Sequence, residues 1–365
     1  MSDPPQPVAS APGSTAFDKA KIEGGRPGPG APPRLVALED LLPLAERALM
    51  RVEVPKWMAG RVSDVLVDAE ARGISSHGLV RLPSYVDRVK AGLIDIASAP
   101  ALVKDEAGSA LIDGANAFGV VAADLASDEA ARRARRHGVG WVTAIHSNHL
   151  GSIGYFVRAL ARDGLIAVMW SNAAPSVAAY KGRSPILGTN PLAMAAPREP
   201  NPIVLDMATS TTARGRIRRA LAEGQSIPLG WAVDCDGQDT RDPAAALKGA
   251  LLPLGGAKGY GLSVFLDLLS GVVGGGASLD QVYETTELSK PADIAFSLLA
   301  FDPFRFIGAR DYAVAVDDFT ARLKGSGDGD VLLPGEPEDT RYLRAKSEGV
   351  AVAADIYRQL EDLIQ

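Results

Sequence analysis

From Ala101 onward, short apolar runs alternate with helix-length segments, and this limits the possible folds more than any other feature of the chain. Ser109 to Ile112, Val139 to Ile145, Leu165 to Trp170, Pro191 to Ala196, Ile203 to Asp206 and Ala295 to Phe301 read as strands. Asp124 to Arg136, Ser152 to Arg162, Ala208 to Ala222, Leu262 to Val273 and Tyr312 to Leu323 read as helices, and Val350 to Ile364 as a closing amphipathic helix. Ahead of residue 101 the texture is helical. Leu38, Leu41, Leu42, Ala45, Ala48 and Leu49 recur at helical spacing, with Pro43 placed in the first turn. A second helix spans Pro55 to Arg72 and stops at Gly73; a third runs from about Leu79 to Lys90. The pattern predicts an α/β or α+β protein.

A length of 365 residues fits two domains. Residues 1–33 are rich in Pro, Gly, Ala and Ser and have no hydrophobic signal core, so a disordered tail is expected there. The net charge of −6 gives no broad attraction for nucleic acid or an anionic membrane. No apolar run approaches the ~20 residues needed to span a bilayer. Cys235 is the only cysteine, which rules out an internal disulfide and is compatible with a cytoplasmic location.

Four stretches carry residues suited to chemistry. Gly73 to Tyr85 puts Ser76, His77, Arg81 and Tyr85 within thirteen residues. An arginine can grip a carboxylate through two parallel hydrogen bonds, and a histidine can move a proton near neutral pH. The plain alternative is that His77 caps a helix and Arg81 lies on a solvated face. His146-Ser147-Asn148-His149 occupies a strand-to-helix loop, where His149 is a candidate general acid or base. Zinc ligation by His146 and His149 lacks a Glu or Cys at familiar spacing, and no metal is expected. Leu205-Asp206-Met207-Ala208-Thr209-Ser210 ends a strand with an acid that can orient a histidine, bind a ribose or cap the next helix. Leu254-Gly255-Gly256-Ala257-Lys258-Gly259-Tyr260-Gly261 opens a helix with glycines and a lysine, as a phosphate site does. Its spacing is neither G-x-G-x-x-G nor a P-loop. Tight packing explains such a glycine turn equally well.

Taken in order, these stretches, together with Leu187-Gly188-Thr189-Asn190-Pro191-Leu192-Ala193 and Trp231-Ala232-Val233-Asp234, resemble the malate/L-lactate dehydrogenase family of non-Rossmann type. Its relatives include ureidoglycolate and sulfolactate dehydrogenases, diketogulonate reductase and Δ1-piperideine-2-carboxylate reductases. The resemblance runs from about Arg34 to the C-terminus. It implies a non-Rossmann NAD(P)-binding domain with a mixed or antiparallel sheet over residues 101–250, and a mainly helical domain built from residues 34–100 and 251–365. It further implies a homodimer with sites near the subunit interface.

By position, the resemblance puts His149 on the proton donor and acceptor and Asp206 on its acidic partner. Ser76, His77, Arg81 and Tyr85 fall on the substrate side. Asn172, Lys181, Arg183, Asp206, Met207, Ala208 and Lys258 fall on the cofactor side. Ala173 departs from the family, where a hydroxyl often follows the asparagine. The expected reaction is hydride transfer between NAD or NADP and C2 of a small 2-hydroxy or 2-oxo acid. Arg81 holds the carboxylate, Ser76 and His77 bind the reacting oxygen, and His149, supported by Asp206, moves the proton. Lys181 and Arg183 can pair with a 2′-phosphate, which favours NADP. Reduction of a cyclic imino acid such as Δ1-piperideine-2-carboxylate is the alternative substrate reading. A non-redox hydrolase or lyase using His77 and His149 is the alternative from another class.

Overall fold

Unbroken burial over residues 142–145 and 294–298 marks two strands, Val139–Ser147 and Ile294–Phe301, as covered on both faces there. In the computed structural model, which describes residues 32–365, they lie antiparallel at the middle of a seven-stranded sheet. The spatial order is Ala101–Asp105, Ser109–Asp113, Val139–Ser147, Ile294–Phe301, Ile166–Ser171, Leu192–Ala196, Ile203–Met207. Only the pairing of Ser109–Asp113 with Val139–Ser147 is parallel. That pair needs a crossover, which the helix Gly119–His137 supplies. The helix lies close to the sheet because its inner face is Ala122, Ala123, Ala126 and Ala130. A Cβ on Gly140 would come within 2.4 Å of the Ala130 carbonyl, so the strand requires glycine at this approach. The mixed α/β architecture agrees with the fold expected from the sequence.

The helix Gly154–Arg162 shares the alanine-lined face of the sheet. The opposite face carries the helix Ala257–Asp267 and its continuation Leu268–Val272, joined to the sheet by the Ser297 hydroxyl donating to Leu269 O at 3.0 Å. Beyond these lie Leu38–Met50, Lys56–Ala71, Leu82–Lys90, Glu336–Glu348 and Ala354–Ile364. One hydrophobic core runs through these helices and the sheet. A smaller lobe has its own core around Val177, Leu187, Ile217, Ala232 and Leu251, with a four-stranded sheet of very short strands.

One expectation falls outside the described residues, and several others differ from the structure. Residues 1–31, where most of the expected tail falls, lie outside the described residues. Pro43 sits in the second turn of Leu38–Met50, not the first, because that helix starts at Leu38. The helix expected from Ala208 starts at Arg214: Thr209 and Ser210 turn their hydroxyls to backbone carbonyls instead. Val350–Val352 is not the start of the closing helix but a strand, paired with Arg34–Val36. Ile294–Phe301, from the segment grouped with the helical part, occupies the centre of the sheet.

Candidate active site

Glu70, in the last turn of Lys56–Ala71, anchors the substrate-side stretch. Its Oε2 accepts the Leu79 N–H at 2.9 Å. A Cβ on Gly78 would lie 2.1 Å from that oxygen, so only glycine lets the chain close over the carboxylate. Burial pushes the Glu70 carboxyl above its ordinary range, opposed by the Leu79 N–H and the Ser75 hydroxyl. Two tight turns, Ser75–His77 and Leu79–Arg81, are thereby fixed ahead of Leu82–Lys90. Within them the Arg81 Nε–H donates to Ser76 O at 2.7 Å, and Ser76 Oγ lies 2.9 Å from His77 Nδ1. Among the described residues nothing bonds the two terminal nitrogens of Arg81, which leaves the planar fork that a carboxylate fits.

His149 reaches the same place from the end of Val139–Ser147. The loop is held by the Asn148 side-chain amide, which donates to Asn116 O at 2.9 Å and Ala117 O at 3.0 Å. The His149 ring stacks on His77, with centroids 5.4 Å apart and planes at 19°. Its Nδ1 lies 2.7 Å from the Tyr85 hydroxyl and accepts the Gly151 N–H at 3.2 Å. A nitrogen that accepts a backbone N–H carries no proton itself. The network therefore assigns the ring proton to Nε2 and makes Tyr85 the donor to Nδ1. Tyr85 is 1% exposed and meets Phe118 edge-on.

Burial and then the Arg81 charge push His77 down to about 4. His149 is lowered well below the usual histidine range by burial, then Arg81 and His77. Burial raises the Tyr85 phenol, partly countered by Arg81. Both rings are thus neutral at pH 7. A stability consequence follows from His77. The unfolded chain takes up a proton there from its ordinary 6.5 downward, whereas the folded chain stays neutral until about 4. Stability is fully present above that window and falls as pH drops through it, with His149 acting in the same direction. The raised Glu70 and Asp206 carboxyls act in the opposite direction, so the expected result is a difference: thermal melts across this range will show acid costing the wild type more Tm than it costs His77→Gln, and equal slopes would remove His77 as a contributor.

Asp206 stands differently from its expected place. Its Oδ2 accepts the Ser152 hydroxyl at 2.7 Å and the Gly154 N–H at 2.9 Å, so it caps the start of Gly154–Arg162. No hydrogen bond joins Asp206 to His149 among the described residues; Tyr85 holds the position expected for the acid. Part of Asp206 stays open to solvent, yet protein walls in its carboxyl and desolvation raises it. His146 is also apart from His149, its Nδ1 lying 3.2 Å from Asp113 Oδ1.

The cofactor-side residues divide into two groups. Met207 ends a strand and Ala208 follows it, and the continuation is tied to the glycine turn: the Leu254 N–H donates to Thr209 O at 2.9 Å. Gly255 and Gly256 follow with left-handed φ of 60° and 66°, and Lys258 is exposed in the first turn of Ala257–Asp267. Tyr180 lies over Gly256, which brings the exposed Lys181 and Arg183 loop beside the same turn. Left-handed glycines, a helix N-terminus and three exposed cations fit a dinucleotide's phosphates. Asn172 does not join them. It is 1% exposed, its amide donating to Ala277 O at 2.8 Å and its Oδ1 accepting the Ala295 N–H at 2.9 Å.

Glu70, Asn148 and Ser152 build the site and are not among the residues expected from sequence to do so. The signal for Glu70 was present, an acid one turn before a helix end followed by glycines at 73 and 78.

A family model described as malate/L-lactate dehydrogenase matches residues 36–361. A (2R)-3-sulfolactate dehydrogenase (NADP(+)) of Chromohalobacter salexigens is 37% identical over 308 residues, covering 83% of this chain and 90% of that protein. A ureidoglycolate dehydrogenase (NAD(+)) of Escherichia coli K12 is 35% identical over 335 residues, covering 89% and 94%. Among solved structures, the sulfolactate dehydrogenase from Methanocaldococcus jannaschii superposes with a TM-score of 0.85 at 34% identity, covering 90% of this chain and 96% of that one.

Proposed function

Because this chain belongs to the malate/L-lactate dehydrogenase family of NAD(P)-dependent enzymes acting on hydroxy acids, we propose that it interconverts a small 2-hydroxy acid and its 2-oxo acid at the cleft between Arg81 and His149. The observation that carries this reading is the meeting of a free guanidinium fork, at Arg81, with a neutral histidine pair, His77 on His149. Arg81 binds the substrate carboxylate through its terminal nitrogens. Ser76 and His77, sharing one hydrogen bond between Oγ and Nδ1, offer their one remaining O–H or N–H to the oxygen on C2, where negative charge grows during reduction. His149 gives that oxygen its proton from Nε2. Water is kept from the far side of the ring by Tyr85 and Phe118.

The dinucleotide is held by Met207, Ala208, the turn before Lys258, and the loop of Lys181 and Arg183. When bound, it supplies the hydride for C2. Lys181 and Arg183 are both exposed. They favour NADP by pairing with a 2′-phosphate, a pairing that salt screens. The enzyme acts as a homodimer in the cytoplasm. Exposed Phe265 and Val272 supply apolar surface for association. No helix among the described residues is long and apolar enough to cross a membrane.

The test is a panel of malate, lactate, sulfolactate, ureidoglycolate and Δ1-piperideine-2-carboxylate, read by nicotinamide absorbance with each cofactor. We expect turnover of a hydroxy acid and roughly tenfold higher kcat/KM with NADP(H), equivalent to one charge pair of about 1.4 kcal/mol. A clear NAD(H) preference removes the phosphate role of Lys181 and Arg183. Turnover of the cyclic imine alone replaces the hydroxy-acid reading.

A further inference from the structure

The partner of His149 is a phenol, and among the described residues no carboxylate is bonded to the ring. A histidine that donates protons as an imidazolium needs its positive charge supported. The groups facing His149 are His77, Arg81 and Tyr85, none of them anionic at neutral pH. The nearest expected support, Asp206, is bonded to Ser152 and Gly154. The Gly151 N–H also points at Nδ1, opposing a resident proton on that nitrogen. The site is built for a neutral ring.

We propose that Tyr85 and His149 form a neutral proton relay, the Tyr85 phenol protonating Nδ1 as Nε2 gives its proton to the substrate oxygen. The inference rests on the reading of His149 as the group that protonates that oxygen. During reduction the carbonyl oxygen becomes an alkoxide. The Nε2–H bond breaks and an O–H bond forms on the alkoxide. At the same time the Tyr85 O–H bond breaks and an N–H bond forms at Nδ1, across the 2.7 Å contact. One negative charge leaves the substrate and one appears on the phenolate, which burial opposes and the Arg81 charge favours. The longer Gly151 contact, at 3.2 Å, is the one that yields. Reset takes one proton from solvent at Nε2 while Nδ1–H returns its proton to the phenolate. An alkoxide is a strong enough base to draw a proton from a phenol, so the ring need never carry a charge. Tyr85 acts through His149 and is therefore a positioning and relay residue.

The experiment is Tyr85→Phe in the full chain, with rates of the hydride-transfer step taken in single turnovers from about pH 5.5 to 8.5. The wild type should be nearly flat over this range, since no group in the relay has to titrate. The phenylalanine variant should lose about 100-fold in rate, keep KM within about threefold, and speed up as pH falls, because an imidazolium must now do the work. A role in packing alone would shift kcat and KM together and leave the profile flat, which overturns the relay. Should the variant not fold, the wild type in mixed H2O and D2O decides: two protons in flight give a curved dependence of rate on deuterium fraction, whereas a straight line overturns the proposal. His149→Ala, measured alongside, separates the two ideas. Near wild-type turnover there sinks the underlying role of His149, whereas a large loss there with no effect of Tyr85→Phe sinks only the relay.

Discussion

Replacing His149 with alanine is expected to lower turnover by about 10²–10⁴-fold, the range a positioned general acid supplies. The argument is geometric. His149 stacks on His77 and is fixed at Nδ1 by Tyr85 and Gly151, so its Nε2 is the end of the ring left for a substrate oxygen. The cofactor-side turn at residues 253–258 is anchored through Thr209 and not through this loop. Dinucleotide affinity, followed by fluorescence titration, should therefore stay within a few-fold of wild type while kcat collapses. His149→Gln controls for the buried Tyr85 hydroxyl, which alanine would leave without its partner. An alanine variant turning over at more than a third of the wild-type rate would strip His149 of the proton-transfer role.

The largest effect on stability is expected at Arg72. Its side chain is 2% exposed; its Nε donates to Asp68 Oδ2 at 2.9 Å and its Nη1 to Asp339 Oδ1 at 2.6 Å. Its guanidinium carbon lies 4.5 Å from the Tyr342 ring centre, and its carbonyl accepts from Arg341. Arg158 joins the group through Asp68 at 3.5 Å. One side chain thus fastens Lys56–Ala71 to Glu336–Glu348, and Arg158 extends the tie to Gly154–Arg162. Arg72→Ala removes the guanidinium that joins two largely buried carboxylates, and leaves Asp68 with Arg158 at 3.5 Å. Removing one partner of a buried ion pair costs about 3–5 kcal/mol. Urea denaturation should show that loss in full, and a change below about 1 kcal/mol would mean the network relaxes around the gap. Because the network sits directly before Gly73, a looser hold there should also raise KM for the acid.

How much of this is legible in the chain differs by element, and the reason is physical. Strands buried on both faces announce themselves as apolar runs, which is why Val139 to Ile145 and Ala295 to Phe301 can be found within a residue or two of their observed bounds. Glu336–Glu348 cannot be found that way. It has hardly any apolar stripe and is held by Asp339 on Arg72, a partner 267 residues distant. Ala101–Asp105 is an exposed edge strand with no buried face to set an alternation. The candidate site shows the same division. Ser76, His77, Arg81, Tyr85 and His149 stand out as residue types, and the structure does bring them together. Which group bonds which does not show in sequence. Asp206 looks like a partner for histidine by type, yet two nearby donors, Ser152 and Gly154, reach its carboxylate. Asn172 looks like a ligand-binding amide, yet both ends of it are bonded to backbone in the interior. Short-range competition for hydrogen bonds decides these cases, and it depends on coordinates.

The placement of Ile294–Phe301 between Val139–Ser147 and Ile166–Ser171 bears on how the protein is made. A ribosome releases the two flanking strands more than a hundred residues before the strand that joins them. Until then each lacks the partner for its inner edge, and both edges are largely apolar. A fragment ending before Ile294 can form neither ladder, so it should associate with its own copies or with a chaperone instead of folding. Co-expressing the segment that carries Ile294–Phe301 with such a fragment is the direct way to restore its solubility.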